Sequence, residues 1–138
     1  MKINEFIKNN LKVTNLAKNK DLLRCVKPIH MKNEEMMTST RLPQIVCADG
    51  FKMSVQVGFS LYSTPKKVAK RYSAVEIGFP SEHEPLIENY AETFYKEDEM
   101  DVTDYTDTVY PYVPVKVVNK VLKKHGGIDL TETLREVA

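Results

Sequence analysis

The sequence lacks most of the residues from which catalytic and nucleotide-binding motifs are built. Its 138 residues include no tryptophan, two cysteines, three histidines and five glycines. It has no glycine-rich phosphate loop, no G-x-S-x-G nucleophile motif and no H-E-x-x-H metal motif. The histidines, His30, His83 and His125, fall on three different predicted elements, without a metal-ligand partner at a useful spacing. We therefore expect a protein with no metal, no cofactor and no enzymatic activity.

Long apolar runs and disulfide patterns are also missing. No apolar stretch approaches the ~20 residues needed to span a bilayer, and Lys8 and Asn9 interrupt the N-terminus where a signal peptide needs an apolar run. Cys25 and Cys47 are far apart and form no framework, so we expect both to be reduced, with Cys47 buried in a strand. These absences favour a cytoplasmic protein without membrane contact.

The small net charge of +1 conceals an uneven distribution. Residues 1–75 contain 14 Lys and Arg against 5 Asp and Glu, whereas residues 76–138 contain 6 against 14. The two halves therefore carry +9 and −8, and each can attract its own class of charged partner.

The middle of the chain has the pattern of an antiparallel sheet. Asp49-Gly50 separates two β-prone runs, residues 44–48 and 51–57, which predicts a hairpin. Alternation in the second run predicts that Phe51, Met53, Val55 and Val57 face the core. Residues 74–79 predict a third strand and residues 108–113 a fourth, with Pro111 at an edge or a bulge.

Helices are predicted around these strands. Ile3, Phe6, Ile7 and Leu11 predict a first helix that Asn4 caps, and a second helix ends at Lys27 before Pro28. Ser81 with the acidic residues after it predicts a helix to about Tyr95. Another starts at Pro114 and ends at Gly126-Gly127, with a helical turn or two beyond it.

Together, these elements predict a single α+β domain. We expect an antiparallel sheet of about four strands, with helices packed on one face. The predicted boundaries are an N-terminal helical extension over residues 1–41, a core over residues 42–128 and a C-terminal tail over residues 129–138. Residues 30–43 are interpreted as a polar connector.

The acidic half offers a candidate protein-binding surface. On the predicted helix, Glu84, Glu88 and Glu92 recur every fourth residue and form a row along one face. Six carboxylates follow within residues 97–107, without the spacing of a calcium loop. This segment is open to interpretation as a solvated loop or as a surface that mimics nucleic acid or docks on a protein. The proposed surface comprises Glu84, Glu88, Glu92, Glu97, Asp98, Glu99 and Asp101.

The basic half offers an alternative, ligand-binding site in the loop before the third strand. Lysines next to aromatic rings can hold a nucleotide or nucleic acid by charge and stacking. Its predicted residues are Tyr62, Lys66, Lys67, Lys70 and Arg71, with Tyr72 as a second stacking ring and Gln56 nearby. Glu76, with Ser54 and Gln56 on the same sheet face, is a further polar group that burial would turn into a general base.

An ordered series of short motifs extends across the predicted core. It comprises Cys47-Ala48-Asp49-Gly50-Phe51, Met53-Ser54-Val55-Gln56, Tyr62 with Pro65, Val75-Glu76-Ile77-Gly78-Phe79-Pro80-Ser81, Tyr90-Ala91-Glu92, and residues 110–118 with His125-Gly126-Gly127. Over about residues 42–128, the series resembles a group of small, mostly uncharacterised proteins encoded by bacteriophages and prophages. The resemblance implies an origin and a small core rather than a defined chemistry.

This resemblance, with the absent catalytic motifs and the divided charge, sets the functional hypotheses. The leading one is a phage-encoded, non-enzymatic inhibitor that binds a host antiviral defence component through a charged surface. Alternatives are a binder that sequesters a small nucleotide signal and an accessory factor in phage DNA replication that contacts nucleic acid. Assembly into a homo-oligomer is left open.

Overall fold

Strand β4 (Lys52–Gln56) is one of two inner strands of the main sheet in the computed structural model, which describes residues 1–15 and 38–135. Its side chains alternate as predicted: Met53 and Val55 are fully buried, whereas Lys52 is exposed. The neighbouring strands are β3 (Ile45–Val46), β5 (Ala74–Gly78) and β6 (Val109–Pro114). All pairings are antiparallel, in the order β3-β4-β5-β6.

The predicted hairpin joins β3 to β4, with Ile45 opposite Met53. The Gly50 N–H donates to the Cys47 carbonyl at 2.9 Å, and Gly50 alone in the turn has a positive φ, of 93°. This is a three-residue connection in which a turn is followed by a left-handed glycine, so the sequence predicts the hairpin correctly but only one of its two residues needs a positive φ.

Strand β6 lies at the sheet edge and contains a bulge. The register shifts between Val75 and Ile77, so that Pro111 and Tyr112 together lie opposite Glu76. Tyr112 has a φ of 52°, and its N–H donates to the Tyr62 carbonyl at 3.1 Å rather than to β5. The predicted edge and bulge at Pro111 are confirmed, because proline cannot donate to a sheet ladder.

Helices α1 (Ile3–Asn10) and α2 (Val115–Lys124) cover one sheet face, and α3 (Leu130–Leu134) lies against β3. The fold is therefore α+β, as expected. Asn4 does not cap α1, because its side chain bonds the backbone of Tyr72, and Asn119 of α2 accepts the Ile3 N–H at 2.9 Å instead. The helices contribute six buried residues to the same core as the sheet: Ile3, Phe6, Ile7, Val118, Val121 and Leu122.

A second sheet of two strands, β1 (Lys12–Asn15) and β2 (Thr38–Arg41), is not predicted by the sequence. Residues 38–41 were expected to belong to a polar connector, because Thr-Ser-Thr-Arg has no apolar alternation. Tertiary contacts position this strand: the Thr40 hydroxyl donates to the Val57 carbonyl, and the Gln56 amide bonds both backbone groups of Leu42.

The predicted helix from Ser81 to about Tyr95 is wrong. This segment consists of turns with one short 3-10 helix at Glu88–Tyr90. Pro85 has no N–H for the first turn, and it disfavours helical geometry at Glu84. Ser81 instead bonds the backbone of Lys52 through its N–H and its hydroxyl, at 2.8 and 2.9 Å.

Some of the predictions concern residues that the structure does not describe. The second N-terminal helix, Cys25 and His30 lie outside the described residues. Within residues 1–15 and 38–135, no helix has the length and apolar character needed to cross a membrane.

The backbone of Gly58 lies close to the side chain of Thr40, which predicts that a larger residue at position 58 destabilises the protein. A Cβ at Gly58, where φ is 124°, would lie 2.6 Å from the Thr40 Oγ1, whereas one at Gly50, where φ is 93°, meets nothing within 4 Å. Both Gly58→Ala and Gly50→Ala incur the cost of a positive φ, but only the first adds a clash, so we expect it to lower the free energy of unfolding by about 1–3 kcal/mol more. Urea denaturation measures the difference, and equal losses would contradict the packing of β2 on Gly58.

Candidate functional site

Glu84 is not a surface residue, which corrects the proposed acidic row. Its side chain is 1% exposed, whereas Glu88 is half-buried and Glu92 is exposed. Since the helix that would align the three carboxylates does not form, they do not make a continuous charged face. The sequence signal for the row was the four-residue spacing, which has meaning only in a helix.

Glu84 instead belongs to an ionic network centred on His125, at the end of α2, in which Glu84 and His125 are buried and Asp49 and Lys124 are about half-exposed. The His125 Nδ1 lies 2.6 Å from the Asp49 Oδ2, and its Nε2 lies 2.7 Å from the Glu84 Oε1. The other Glu84 oxygen accepts the Lys124 Nζ at 2.9 Å and the Leu86 N–H at 3.0 Å. The imidazole also stacks on Phe51, with ring centroids 4.0 Å apart. We call Asp49, Glu84, Lys124 and His125 the histidine clamp.

The geometry of the clamp favours a charged imidazole over a neutral one. Both ring nitrogens face carboxylates, and only the doubly protonated ring can donate to both. Burial favours the neutral ring, but the bonds to Asp49 and Glu84 outweigh it and raise the pKa of His125. A positive charge is also favourable at this position because it lies at the C-terminal end of α2, and the sequence did not predict its two carboxylate partners.

The carboxylates of the clamp shift in the complementary direction. Burial alone would raise the pKa of Glu84. The hydrogen bonds from the Leu86 N–H, Lys124 and His125 together have a larger effect in the opposite direction, so the pKa lies below its ordinary value. The Phe51 N–H and His125 likewise lower the pKa of Asp49. Every polar atom of the His125 ring is already bonded, so this cluster is arranged to join segments of the fold rather than to take a proton from a substrate.

The remaining acidic candidates lie on a protruding hairpin. Its two sides are joined by the Val102 N–H to the Phe94 carbonyl at 2.8 Å and the Lys96 N–H to the Met100 carbonyl at 3.0 Å. We call residues 94–103 the acidic finger. Glu97, Asp98, Glu99 and Asp101, all exposed, lie on it.

Apolar side chains on the acidic finger are exposed as well. Phe94 is 52%, Tyr95 62%, Met100 55% and Val102 41% exposed. The finger is anchored at its base, where the Glu92 N–H donates to the Val109 carbonyl and the Thr108 hydroxyl donates to the Glu92 carbonyl, both at 2.9 Å. The finger therefore combines an apolar surface with negative charge on a defined attachment to β6.

Short-range hydrogen bonds shape the turns of this acidic region. Asp101 accepts the Thr103 N–H at 2.9 Å, and Asp104 accepts the N–H and the hydroxyl of Thr106. These bonds lower the pKa of both aspartates. The predicted solvated loop is thus exposed but locally structured.

The basic loop brings together only part of the alternative site. The Lys66 Nζ lies 5.2 Å from the centroid of the Tyr62 ring, which is itself 5.7 Å from the ring of Tyr112. Tyr72 is 2% exposed and cannot stack on a ligand, because its hydroxyl bonds the Lys67 carbonyl and the Ala69 N–H. Lys66, Lys67, Lys70 and Arg71 are exposed.

Gln56 and Glu76 also have partners within the chain. The Gln56 amide bonds the backbone of Leu42 and the Ser54 hydroxyl, all at 3.1 Å. The Glu76 carboxylate accepts the Tyr62 N–H at 3.3 Å. Ser54 and Gln56 therefore bond each other and Gln56 lies opposite Glu76, but Gln56 and Glu76 each also bond a backbone group.

No metal site is formed in the described part of the chain. There, no group of three or more His, Cys, Asp or Glu side chains is arranged to hold an ion. His83 is exposed, and its ring stacks on Tyr105 with centroids 4.2 Å apart. Cys47 is buried as predicted, and this burial, with the nearby Asp49, raises the pKa of its thiol to about 11.

Sequence reasoning missed the joint role of Asp49, Glu84 and His125. The sequence placed Asp49 in the hairpin turn and Glu84 in the acidic row, and nothing in it paired His125 with either. Two of the contacts span 41 and 76 residues, so only the tertiary structure joins them.

Comparison with known proteins adds no family. No protein-family model matches the chain, and neither the curated proteins nor the solved structures give a match.

The histidine clamp predicts how stability depends on pH. His125 has a raised pKa, so its contribution is complete below about pH 6.5 and is lost as the pH rises through its folded pKa. Asp49 and Glu84 have lowered pKa values, so their contributions are complete above about pH 4.5 and are lost as the pH falls through their folded values. We expect His125→Gln to cost about 3–5 kcal/mol near pH 6 and progressively less above pH 7.

The exposed His83 supplies a matched control. The free energy of unfolding of wild type, His125→Gln and His83→Gln, measured in urea from pH 4 to pH 9, separates the buried ring from the exposed one. A His83→Gln loss as large as that of His125→Gln, or a His125→Gln loss independent of pH, would contradict an ionic clamp.

Proposed function

We propose that this chain is a phage-encoded, non-enzymatic binding protein that inhibits a host antiviral defence component in the bacterial cytoplasm. The observation that carries this proposal is the acidic finger, on which four apolar side chains are 41–62% exposed beside four carboxylates. The phage origin and the defence target rest on the sequence resemblance over about residues 42–128. The direct contact is assigned to the finger.

The apolar side chains of the finger are concentrated in a way that favours protein binding. Single exposed apolar residues are normal on a protein surface. Here four lie within the nine residues from Phe94 to Val102, and two of them are aromatic. Exposed clusters of this kind mark interaction sites, and aromatic side chains contribute strongly at protein interfaces.

The charges of the finger define the partner that it fits. Residues 96–101 carry Glu97, Asp98, Glu99 and Asp101 against one Lys96. A complementary surface is rich in Lys and Arg around an apolar depression. Opposite charge accelerates encounter and excludes acidic partners, whereas burial of the apolar side chains supplies affinity. Inhibition then follows from occupation of a basic surface that the defence component uses for its own substrate.

The histidine clamp supports a binding role because it commits its titratable groups to the fold. Both His125 nitrogens and both Glu84 oxygens have partners within the chain. A rigid body behind the finger reduces the ordering cost of association.

Charge reversal on the finger tests the proposal. Among the described residues, neither Glu97 nor Glu99 makes a side-chain hydrogen bond, so Glu97→Lys with Glu99→Lys changes charge without removing a turn contact. We expect this variant to weaken partner binding about tenfold or more, as loss of paired interface charges does. The measurement is capture from lysates of bacteria that express single defence systems, together with plaque formation on the same strains.

Two controls separate the finger from general effects. Glu5→Lys with Glu82→Lys makes the same charge change at exposed sites elsewhere and should retain capture and plaque rescue. For the apolar component, Tyr95→Ala should reduce binding, whereas Phe79→Ala, at a 52% exposed ring outside the finger, should not. The proposal fails if wild type rescues no defence-carrying strain, or if the finger variants rescue as well as wild type.

A further inference from the structure

The register of the small sheet places two cations side by side. Lys12 of β1 lies directly opposite Arg41 of β2, at the end of this two-stranded sheet remote from the Asn15–Thr38 pair. Side chains of directly opposed residues project from the same face, and like charges in such positions are destabilising. An anion bound between the two charges offsets this repulsion and stabilises the folded chain.

A groove adjoins this pair of cations. It has a volume of about 790 Å³ and lies between the end of α1, the Lys12–Arg41 end of the β1–β2 sheet, β3 and α3. Lys52 of β4 supplies a third cation to its wall. In the described residues, no ion pair involves Lys12, Arg41 or Lys52. The single carboxylate that lines the groove, Glu132, is already paired with Arg135 at 2.7 Å.

Uncharged polar groups also line the groove. Asn9 and Gln44 are among the lining residues, and neither side-chain amide makes a hydrogen bond within the part of the chain that the structure describes. Leu11 and Val46 add apolar surface. Small-molecule sites typically have volumes of ~300–1,000 Å³ and combine apolar walls with a few polar groups that fix orientation. The groove has both the size and the mixture of side chains for such a ligand.

We propose that this groove binds a small molecule of nucleotide size that carries two or more phosphate groups. Arg41 is suited to bidentate contact with one phosphate, and Lys12 and Lys52 neutralise the remaining charge. Asn9 and Gln44 provide donors and acceptors for the uncharged part of the ligand. This location differs from the Tyr62–Lys66 loop, which the sequence indicated.

The groove and the acidic finger are independent of each other. None of the groove-lining side chains belongs to residues 94–103. A ligand in the groove therefore adds a function to the proposed protein contact, and either proposal can fail while the other stands.

Thermal unfolding with defined probes tests the groove. The probes are ATP, ADP-ribose, a cyclic dinucleotide, inorganic pyrophosphate and a single-stranded DNA oligonucleotide, at physiological ionic strength. We expect at least one nucleotide to raise the Tm of the wild type by about 5–10 °C at ~100 times its Kd. Lys12→Gln with Arg41→Gln should weaken that ligand about 100-fold in calorimetric titration, because two charged contacts are lost.

The Tm of the double variant without ligand distinguishes a ligand-binding role of Lys12 and Arg41 from a structural role. Removal of the opposed charges should leave its Tm unchanged or higher, although its response to the ligand disappears. Lys52→Gln supplies a single-site test if the double variant fails to fold. Lys66→Gln with Lys70→Gln removes the same charge from the basic loop and should keep the response, as should Glu97→Lys with Glu99→Lys on the finger.

Three results would overturn the proposal. They are no Tm change of the wild type with any nucleotide, equal loss of response in the basic-loop control, and binding of the DNA oligonucleotide alone. If pyrophosphate raises the Tm as much as the nucleotides do, the groove binds phosphate groups, but the proposal of a nucleotide-sized ligand is wrong.

Discussion

The imidazolium of His125 joins three segments that are distant in the sequence. Through Asp49 it bonds the turn between β3 and β4, through Glu84 it bonds the segment that follows β5, and its own backbone ends α2. Backbone hydrogen bonds reinforce the same junction, since the Asp49 N–H donates to the His125 carbonyl and the Ala48 N–H to the Gly127 carbonyl. A buried ion pair is stabilising only when its geometry compensates for desolvation, and here every polar atom of the clamp side chains that is buried has a partner.

This junction removes the charges of Glu84 and His125 from the surface of the protein. Glu84 and His125 neutralise each other inside the molecule, so Glu84 adds no charge to the surface. Four of the other carboxylates of the second half are displayed together on the finger. The basic excess of the first half is displayed partly around the groove, where Lys12, Arg41 and Lys52 lie close to α1 and α3. The finger and the groove thus each display part of the charge that is divided along the sequence, and we propose a basic protein as the partner of the first and a phosphorylated small molecule as the ligand of the second.

Sequence patterns predicted the elements that short-range interactions define. They failed for segments whose conformation depends on contacts with residues far away in the sequence. Alternation identified β4, the Asp49-Gly50 pair identified its hairpin, and Pro114 and Gly126 bracketed α2. The capping pattern at Ser81 was misleading, because Ser81 bonds Lys52 and Glu84 bonds His125, contacts that span 29 and 41 residues. The β1–β2 sheet has no apolar alternation that predicts it, and the opposition of its two cations follows only from the register. Exposure of Tyr95 and Met100 on a finger is likewise a tertiary property.

The protonation state of His125 is the most direct test of this account, because the clamp orients the body from which both proposed surfaces extend. Nitrogen-15 NMR of the histidine rings at pH 7 distinguishes an imidazolium, with both nitrogens protonated, from either neutral tautomer. We expect both His125 nitrogens to be protonated at pH 7, because each lies within hydrogen-bonding distance of a carboxylate and these bonds raise the pKa of the ring. A neutral His125 ring at pH 7, with one nitrogen unprotonated, would contradict it.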